Sequence, residues 1–188
     1  MKNIVLFASG NGTNVQRIAE YFSGNQQVSV KRIYTNKKDA FVLSRAEKLN
    51  IESFIFNRKD FYETGMVLEE LTKDQPDLII LAGFLWLIPD TLISAYKGKI
   101  INIHPALLPM YGGKGMYGSI VHQTIIDNGD HESGISIHYV NEHYDEGEII
   151  FQARCPVFPD DTPKSLASKI HELEYKHFPV IIEKLLFD

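Results

Sequence analysis

The chain has 188 residues, 44% hydrophobic and 23% charged, with 24 acidic against 19 basic side chains and a net charge of −5. This excludes a disordered chain and a protein that coats nucleic acid, which clustered Lys and Arg would require. With one cysteine, Cys155, no intrachain disulfide can form. No apolar stretch is long enough to span a membrane, and the run Ile4–Ala8 is too short for a secretion signal, so a cytoplasmic protein is expected.

Ile4–Ala8 reads as a buried strand, followed by a glycine-rich turn and an amphipathic helix from Asn14 to Phe22. Val28–Tyr34 is a second strand, and Ala40–Leu49 a second helix with Asp39 as its cap. Phe54–Phe56 is a short strand, Phe61–Thr72 one helix, and Asp77–Ala82 an apolar strand. Pro89–Tyr96 is a short helix leading into the strand Lys99–Ile103. Strands that alternate with crossover helices imply parallel pairing with helices on both faces. Further on, Ile120–Asn128 is a helix ended by Gly129, and Ser133–Val140 and Glu148–Ala153 read as antiparallel neighbours. A long helix starts at Pro163 behind Thr162 as N-cap, with Leu166, Ile170, Leu173 and His177 on one face. Pro179 is expected to kink or split it. The expected fold is α/β: a Rossmann-like, mostly parallel sheet flanked by helices, with antiparallel strands in the C-terminal half.

Three segments carry chemistry. Ser9-Gly10-Asn11-Gly12-Thr13-Asn14 lies between the first strand and the first helix. Its glycines let backbone approach a ligand, and a helix N-terminus offers free N–H donors to an anion. Val15 replaces the third glycine of a dinucleotide fingerprint, and Asn36-Lys37 stands where a ribose-binding carboxylate would follow. The segment reads as a phosphate site for a mononucleotide, or else as a tight turn without a ligand. In Ile101-Asn102-Ile103-His104-Pro105, Asn102 and His104 stand two apart at the carboxyl end of a strand, so their side chains point the same way. An amide donor beside an imidazole suits a reaction that builds negative charge on a carbonyl oxygen while a proton moves; a polar pair satisfying a loop is the alternative. In His143-Tyr144-Asp145-Glu146-Gly147, Asp145 could orient His104 and stabilise its protonated form, although alone this is a solvated acidic turn. No pair of histidines has the spacing and helical context of a zinc site, and no metal is expected.

In order and spacing these segments closely resemble the glycinamide ribonucleotide formyltransferase family, over essentially the whole chain. Asn36–Ala40, Leu81–Phe84, Asp127–Asp130, Gly134–Val140 and Gln152-Ala153 match it as well. The resemblance implies transfer of a formyl group from 10-formyltetrahydrofolate, a co-substrate, to the amine of glycinamide ribonucleotide in purine biosynthesis. It implies that Asn102 and a protonated His104 stabilise the oxyanion while Asp145 keeps His104 charged. Gly10, Asn11, Gly12 and Thr13 would take the phosphate, and Glu174 the ribose hydroxyls. The folate would lie against Leu85, Trp86, Leu87 and Ile88 and against Val140, Asn141 and Tyr144. Trp86 stands where the family often has a basic residue, which leaves Lys59 as the nearest basic candidate for the folate's glutamate tail. The glycine-rich stretch Tyr111–Gly118 is longer than the family's loop and lacks its histidine, which His122 recovers in the next helix. Lys114, the only charge in that stretch, reaches the substrate phosphate or else points at water.

One domain, 1–188, is expected, with a phosphate-binding half at 1–100 and a catalytic, folate-binding half at 101–188. Its partners are small molecules rather than nucleic acid or membrane, and it is a monomer or homodimer. Formylation of a nucleotide-linked amino sugar or of methionyl-tRNA, and hydrolysis of formyltetrahydrofolate, use a similar trio and are the alternatives; a non-catalytic nucleotide-binding module would not need it. The tRNA enzymes carry a further C-terminal domain and the hydrolases an N-terminal one, which are not expected between a first strand at Asn3 and a last helix near Asp188.

Overall fold

The computed structural model describes residues 1–188. Five strands, β1 (Lys2–Phe7), β2 (Val28–Thr35), β3 (Glu52–Ile55), β4 (Leu78–Leu81) and β5 (Ile100–His104), pair in parallel. Strand β6 (Glu132–Tyr139) runs antiparallel to β5, and β7 (Ile149–Pro156) antiparallel to β6. They form one seven-stranded sheet in the order β3-β2-β1-β4-β5-β6-β7. The central strand β4, Leu-Ile-Ile-Leu, is buried at every position, as a parallel strand covered on both faces must be.

Because successive side chains of a strand face opposite ways, the sheet carries two different cores. One is aliphatic: Ile4, Leu6, Ile101, Ile103, Ile135 and Ile137 pack under α1 (Thr13–Tyr21), α2 (Val42–Lys48), α6 (Ser119–Asp127) and α7 (Pro163–Phe187). The other is aromatic: Phe7, Tyr34, Phe56 and Phe84 pack under α3 (Arg58–Tyr62), α4 (Met66–Asp74) and α5 (Asp90–Ala95). Phe7 stacks on Tyr34 with ring centroids 4.7 Å apart.

Three expectations are corrected. The single helix Phe61–Thr72 is two, α3 and α4, because Gly65 adopts a left-handed φ of 75° that ends one helical path and starts another. Asp39 caps nothing: α2 begins later, behind Phe41, with no side-chain cap. Pro179 does not split α7, which runs unbroken for 25 residues. An interior proline costs about 3 kcal/mol, but Phe178 and Ile182 beside it are fully buried, and each such side chain returns roughly 1.5–3 kcal/mol. The inward stripe of α7 is Leu166, Ile170, Glu174, Phe178, Ile182 and Leu186, with Leu173 and His177 half-buried at its flank. Thr162 caps the helix as expected, accepting from Ser165 N at 3.1 Å.

The chain leaves β1 toward β2 on one side and reaches β4 on the other. Such a switch of direction opens a crevice beyond the carboxyl ends of the strands.

Candidate active site

A cavity of about 680 Å³ fills this crevice, a volume typical of small-molecule sites. At one end lie Gly10, Asn11, Gly12 and Thr13, where β1 turns into α1. Gly12 has φ 74°, and a Cβ there would stand 2.3 Å from Val42 Cγ2, so only glycine fits. No side chain caps α1, which leaves its first-turn N–H groups to an anion. Arg45 of α2 donates to the Asn11 carbonyl (2.8 Å) and to Asn11 Oδ1 (2.6 Å), bracing the loop and setting a guanidinium beside it. Arg45 carries no motif of its own; only packing of α2 against the loop reveals it. Asn14 donates to Glu174 Oε2 at 2.9 Å, tying α1 to α7. Glu174 lines the cavity and is only 6% exposed, so it is not a solvated helix residue; burial pushes its carboxyl up to about 7 against the opposing Asn14 bond.

At the other end Asn102 and His104 project side by side from β5, as their spacing requires. Antiparallel pairing sets His138 of β6 directly opposite Asn102. His138 Nδ1 faces the Tyr139 carbonyl at 2.8 Å; a carbonyl only accepts, so Nδ1 carries the proton and Nε2 accepts from Asn102 Nδ2 at 3.1 Å. By the same reasoning His104 donates from Nε2 to the Tyr111 carbonyl at 2.7 Å, leaving Nδ1 to face Asp145 Oδ2 at 3.5 Å. His138 Nε2 stands 3.6 Å from Asp145 Oδ1, which also lies 3.4 Å from Asn102 Nδ2. Asp145 is therefore flanked by two histidines, each pinned from behind by a backbone carbonyl. His138 carries no motif of its own, because its pairing across the sheet leaves no mark in its neighbouring sequence.

The loop carrying Asp145 folds tightly against β6. A Cβ at Gly147 would fall 1.7 Å from the Tyr139 carbonyl oxygen, so glycine alone permits this approach. Asp145 itself has φ 58°, and its Oδ2 accepts from Gly113 N at 3.0 Å. Behind the Asn102-x-His104 strand end, Ser136 Oγ donates to the Ala106 carbonyl (2.7 Å) and accepts from Leu108 N (2.9 Å), fixing the turn.

The surroundings of His104 act on its charge in opposite directions. Burial lowers its pKa, and this outweighs the attraction of Asp145 and the bond to Tyr111, which both favour the cation. Burial raises the pKa of Asp145, yet the neighbouring His138 and His104 and the Gly113 N–H together hold it below the usual carboxylate range. Burial and the nearby His171 and His104 push His122, another lining residue, down to about 4.

Leu85 lines the main cavity, and Trp86, Leu87, Ile88, Val140 and Tyr144 line an adjoining hollow of about 50 Å³. Asn102 and Asp145 border both spaces, so a ligand spanning them passes the reactive groups. Ser9 Oγ accepts from Leu85 N at 3.0 Å and thereby couples this apolar segment to the glycine loop. Asn141 does not line either space; its Oδ1 accepts from His143 N within its own loop. Lys59 is exposed and lines neither, whereas its neighbour Arg58 lays its guanidinium over Tyr62 (4.9 Å) and Trp86 (5.8 Å). Lys114 is exposed and sits at the edge of the main cavity. No group of three His, Cys, Asp or Glu side chains is arranged to hold a metal, and no helix is long and apolar enough to cross a membrane.

An amide, an imidazole and a carboxylate converging beside a helix-start anion site, at the switch point of a Rossmann-like sheet, define an enzyme for group transfer at a carbonyl carbon. Comparison with known proteins narrows the class: the family described as formyl transferase matches residues 2–182, and this chain belongs to it. It is 36% identical to phosphoribosylglycinamide formyltransferase of Haemophilus influenzae over 97% of this chain and 86% of the relative. With the enzyme of that name from Bacillus subtilis it shares 38% identity over 99% and 95%. Among solved structures, phosphoribosylglycinamide formyltransferase from Streptococcus pneumoniae superposes with a TM-score of 0.87 at 38% identity, covering 98% of this chain and 99% of that one. Glycinamide ribonucleotide transformylase 1 from Geobacillus kaustophilus gives 0.90 at 36%, covering 99% of both.

Proposed function

We propose that this chain transfers the formyl group of 10-formyltetrahydrofolate to the amine of glycinamide ribonucleotide, yielding formylglycinamide ribonucleotide and tetrahydrofolate for purine biosynthesis in the cytoplasm. The observation that carries it is one cavity with a backbone anion site at one end and the Asn102, His104 and Asp145 side chains at the other. A substrate with a phosphate at one end and a primary amine at the other matches that layout, and the names of the relatives support it.

The apolar strip from Leu85 to Ile88, with Val140 and Tyr144 opposite, suits a flat heterocycle, so the residues present fit a folate. Arg58, rather than Lys59, is the cation stacked at the outer edge of that strip and is assigned to the glutamate tail. The folate supplies a formyl carbon already activated toward an amine. The chain's own groups do the rest. Gly10–Thr13 and Lys114 hold the phosphate and Glu174 the ribose. Asn102 Nδ2, whose bond to Asp145 is the longer of its two, turns an N–H toward the oxygen on which charge develops. As the new N–C bond forms, His104 takes the amine's proton at Nδ1, the nitrogen facing Asp145. Two acceptors that repelled one another then become an ion pair. The same proton passes to the departing nitrogen as the old N–C bond breaks, and His104 returns to neutral.

A formyl-transfer assay offering glycinamide ribonucleotide, a nucleotide-linked amino sugar, methionyl-tRNA and water as acceptors tests this. Turnover on the ribonucleotide at least about 100-fold above the others is expected. Comparable turnover on another acceptor, or formate release without one, overturns it.

A further inference from the structure

We infer that Tyr111 is a positioning residue for this reaction: its backbone carbonyl, locked in place by its own phenol, decides which nitrogen of His104 carries the proton. Tyr111 has φ 58°, in the left-handed region that an aromatic residue occupies only when its surroundings hold it there. The hold is visible. The phenol donates to Asp130 Oδ2 at 2.6 Å and accepts from Asn128 Nδ2 at 2.9 Å, both just beyond the C-terminal end of α6, while the ring packs on the aliphatic core. With the side chain anchored outward, the left-handed backbone turns the carbonyl inward onto His104 Nε2 at 2.7 Å. Two residues later the same stretch sends the Gly113 N–H to Asp145 Oδ2. A three-residue segment thus holds both reactive side chains through its backbone, and α6 holds the segment.

A neutral imidazole carries one proton, and the ring offers it two sites. The Tyr111 carbonyl claims it for Nε2, which keeps the lone pair of Nδ1 facing Asp145. Were the carbonyl released, the proton would move to Nδ1 and bond directly to the Asp145 carboxylate. The ring would then be satisfied but unable to accept at the nitrogen beside Asn102 and Asp145. Tyr111 withholds that resting state.

This inference rests on His104 acting as proposed, and the test separates the two. Nitrogen-15 NMR of the His104 ring reports its tautomer directly. The native protein is expected to show Nε2–H. Tyr111→Phe, which keeps the ring and loses the hydroxyl, is expected to populate Nδ1–H and to lower kcat by roughly 10-fold with KM for both substrates nearly unchanged. Asp130→Ala frees the phenol independently and should repeat the tautomer change; Asp130→Asn, whose amide oxygen still accepts from the phenol, should restore the native tautomer and rate. A native tautomer in both Tyr111→Phe and Asp130→Ala overturns the inference, whatever the rate. Near-normal turnover in His104→Ala instead overturns the catalytic role on which it depends.

Discussion

The two ends of the cavity solve different problems with different materials. The end proposed for the phosphate is backbone: a glycine loop and the uncapped start of α1, with Arg45 bracing from behind. The end proposed for catalysis is side chains: three polar groups from β5 and the Asp145 loop, ordered by His138 and by backbone carbonyls. A backbone site depends on shape, so it tolerates changes of polarity and fails when a Cβ is added. A side-chain site depends on proton positions, so it fails when one nitrogen is lost while the fold survives.

The largest expected effect breaks the catalytic end alone. His104→Ala should cut kcat by roughly two orders of magnitude or more while both substrates still bind. Steady-state kinetics with titration calorimetry decides it, and a loss confined to affinity would erase the distinction between the ends. The converse is Gly12→Ala. Its Cβ must push Val42 aside and strain a left-handed residue, so a destabilisation of about 1–3 kcal/mol is expected. A higher ribonucleotide KM at nearly normal kcat should accompany it; urea midpoints and kinetics check both.

Glu174, tied to α1 through Asn14, sharpens the comparison through pH. Its carboxyl rises from the ordinary 4.5 to about 7, so between those values the folded chain binds the extra proton. Its contribution to stability is complete below about pH 4.5 and lost as pH rises through about 7. His122, pushed down to about 4, works in the opposite sense. Urea midpoints near pH 5 and near pH 8 should therefore fall less in Glu174→Gln than in the native protein, the difference isolating this one group. The smallest effect belongs to Lys114→Ala, a few-fold loss of ribonucleotide affinity with folate binding intact, since an exposed ion pair contributes little. Hydrogen exchange of residues 112–118 should slow when the ribonucleotide binds; equal exchange with and without it would make the segment a passive insertion.

The glycine turn into α1 and the side-by-side Asn102-x-His104 pair were legible because each depends on residues within a few positions of one another. Pattern alone misled where its period carried across a break. Phe61, Val67 and Leu71 keep an apolar face through Gly65, so one helix was read in place of two. Pro179 pointed to a kinked or split helix because the buried stripe that carries α7 past it is recognisable only once its packing surface exists.

From the residues alone came the strand and helix alternation, the glycine turn before a helix, the polar strand end and an acidic loop of chemical interest. All of these follow from side-chain period, backbone freedom and capping, forces that act over one or two turns of chain. Only the tertiary structure put His138 opposite Asn102, Arg45 behind Asn11 and the Tyr111 carbonyl on His104, because pairing register and helix docking join residues that share no local pattern. It also decided the direction in which the pKa of His104 moves. A carboxylate nearby favours the cation, but how much water the fold leaves around the ring decides whether that attraction suffices, and here burial prevails.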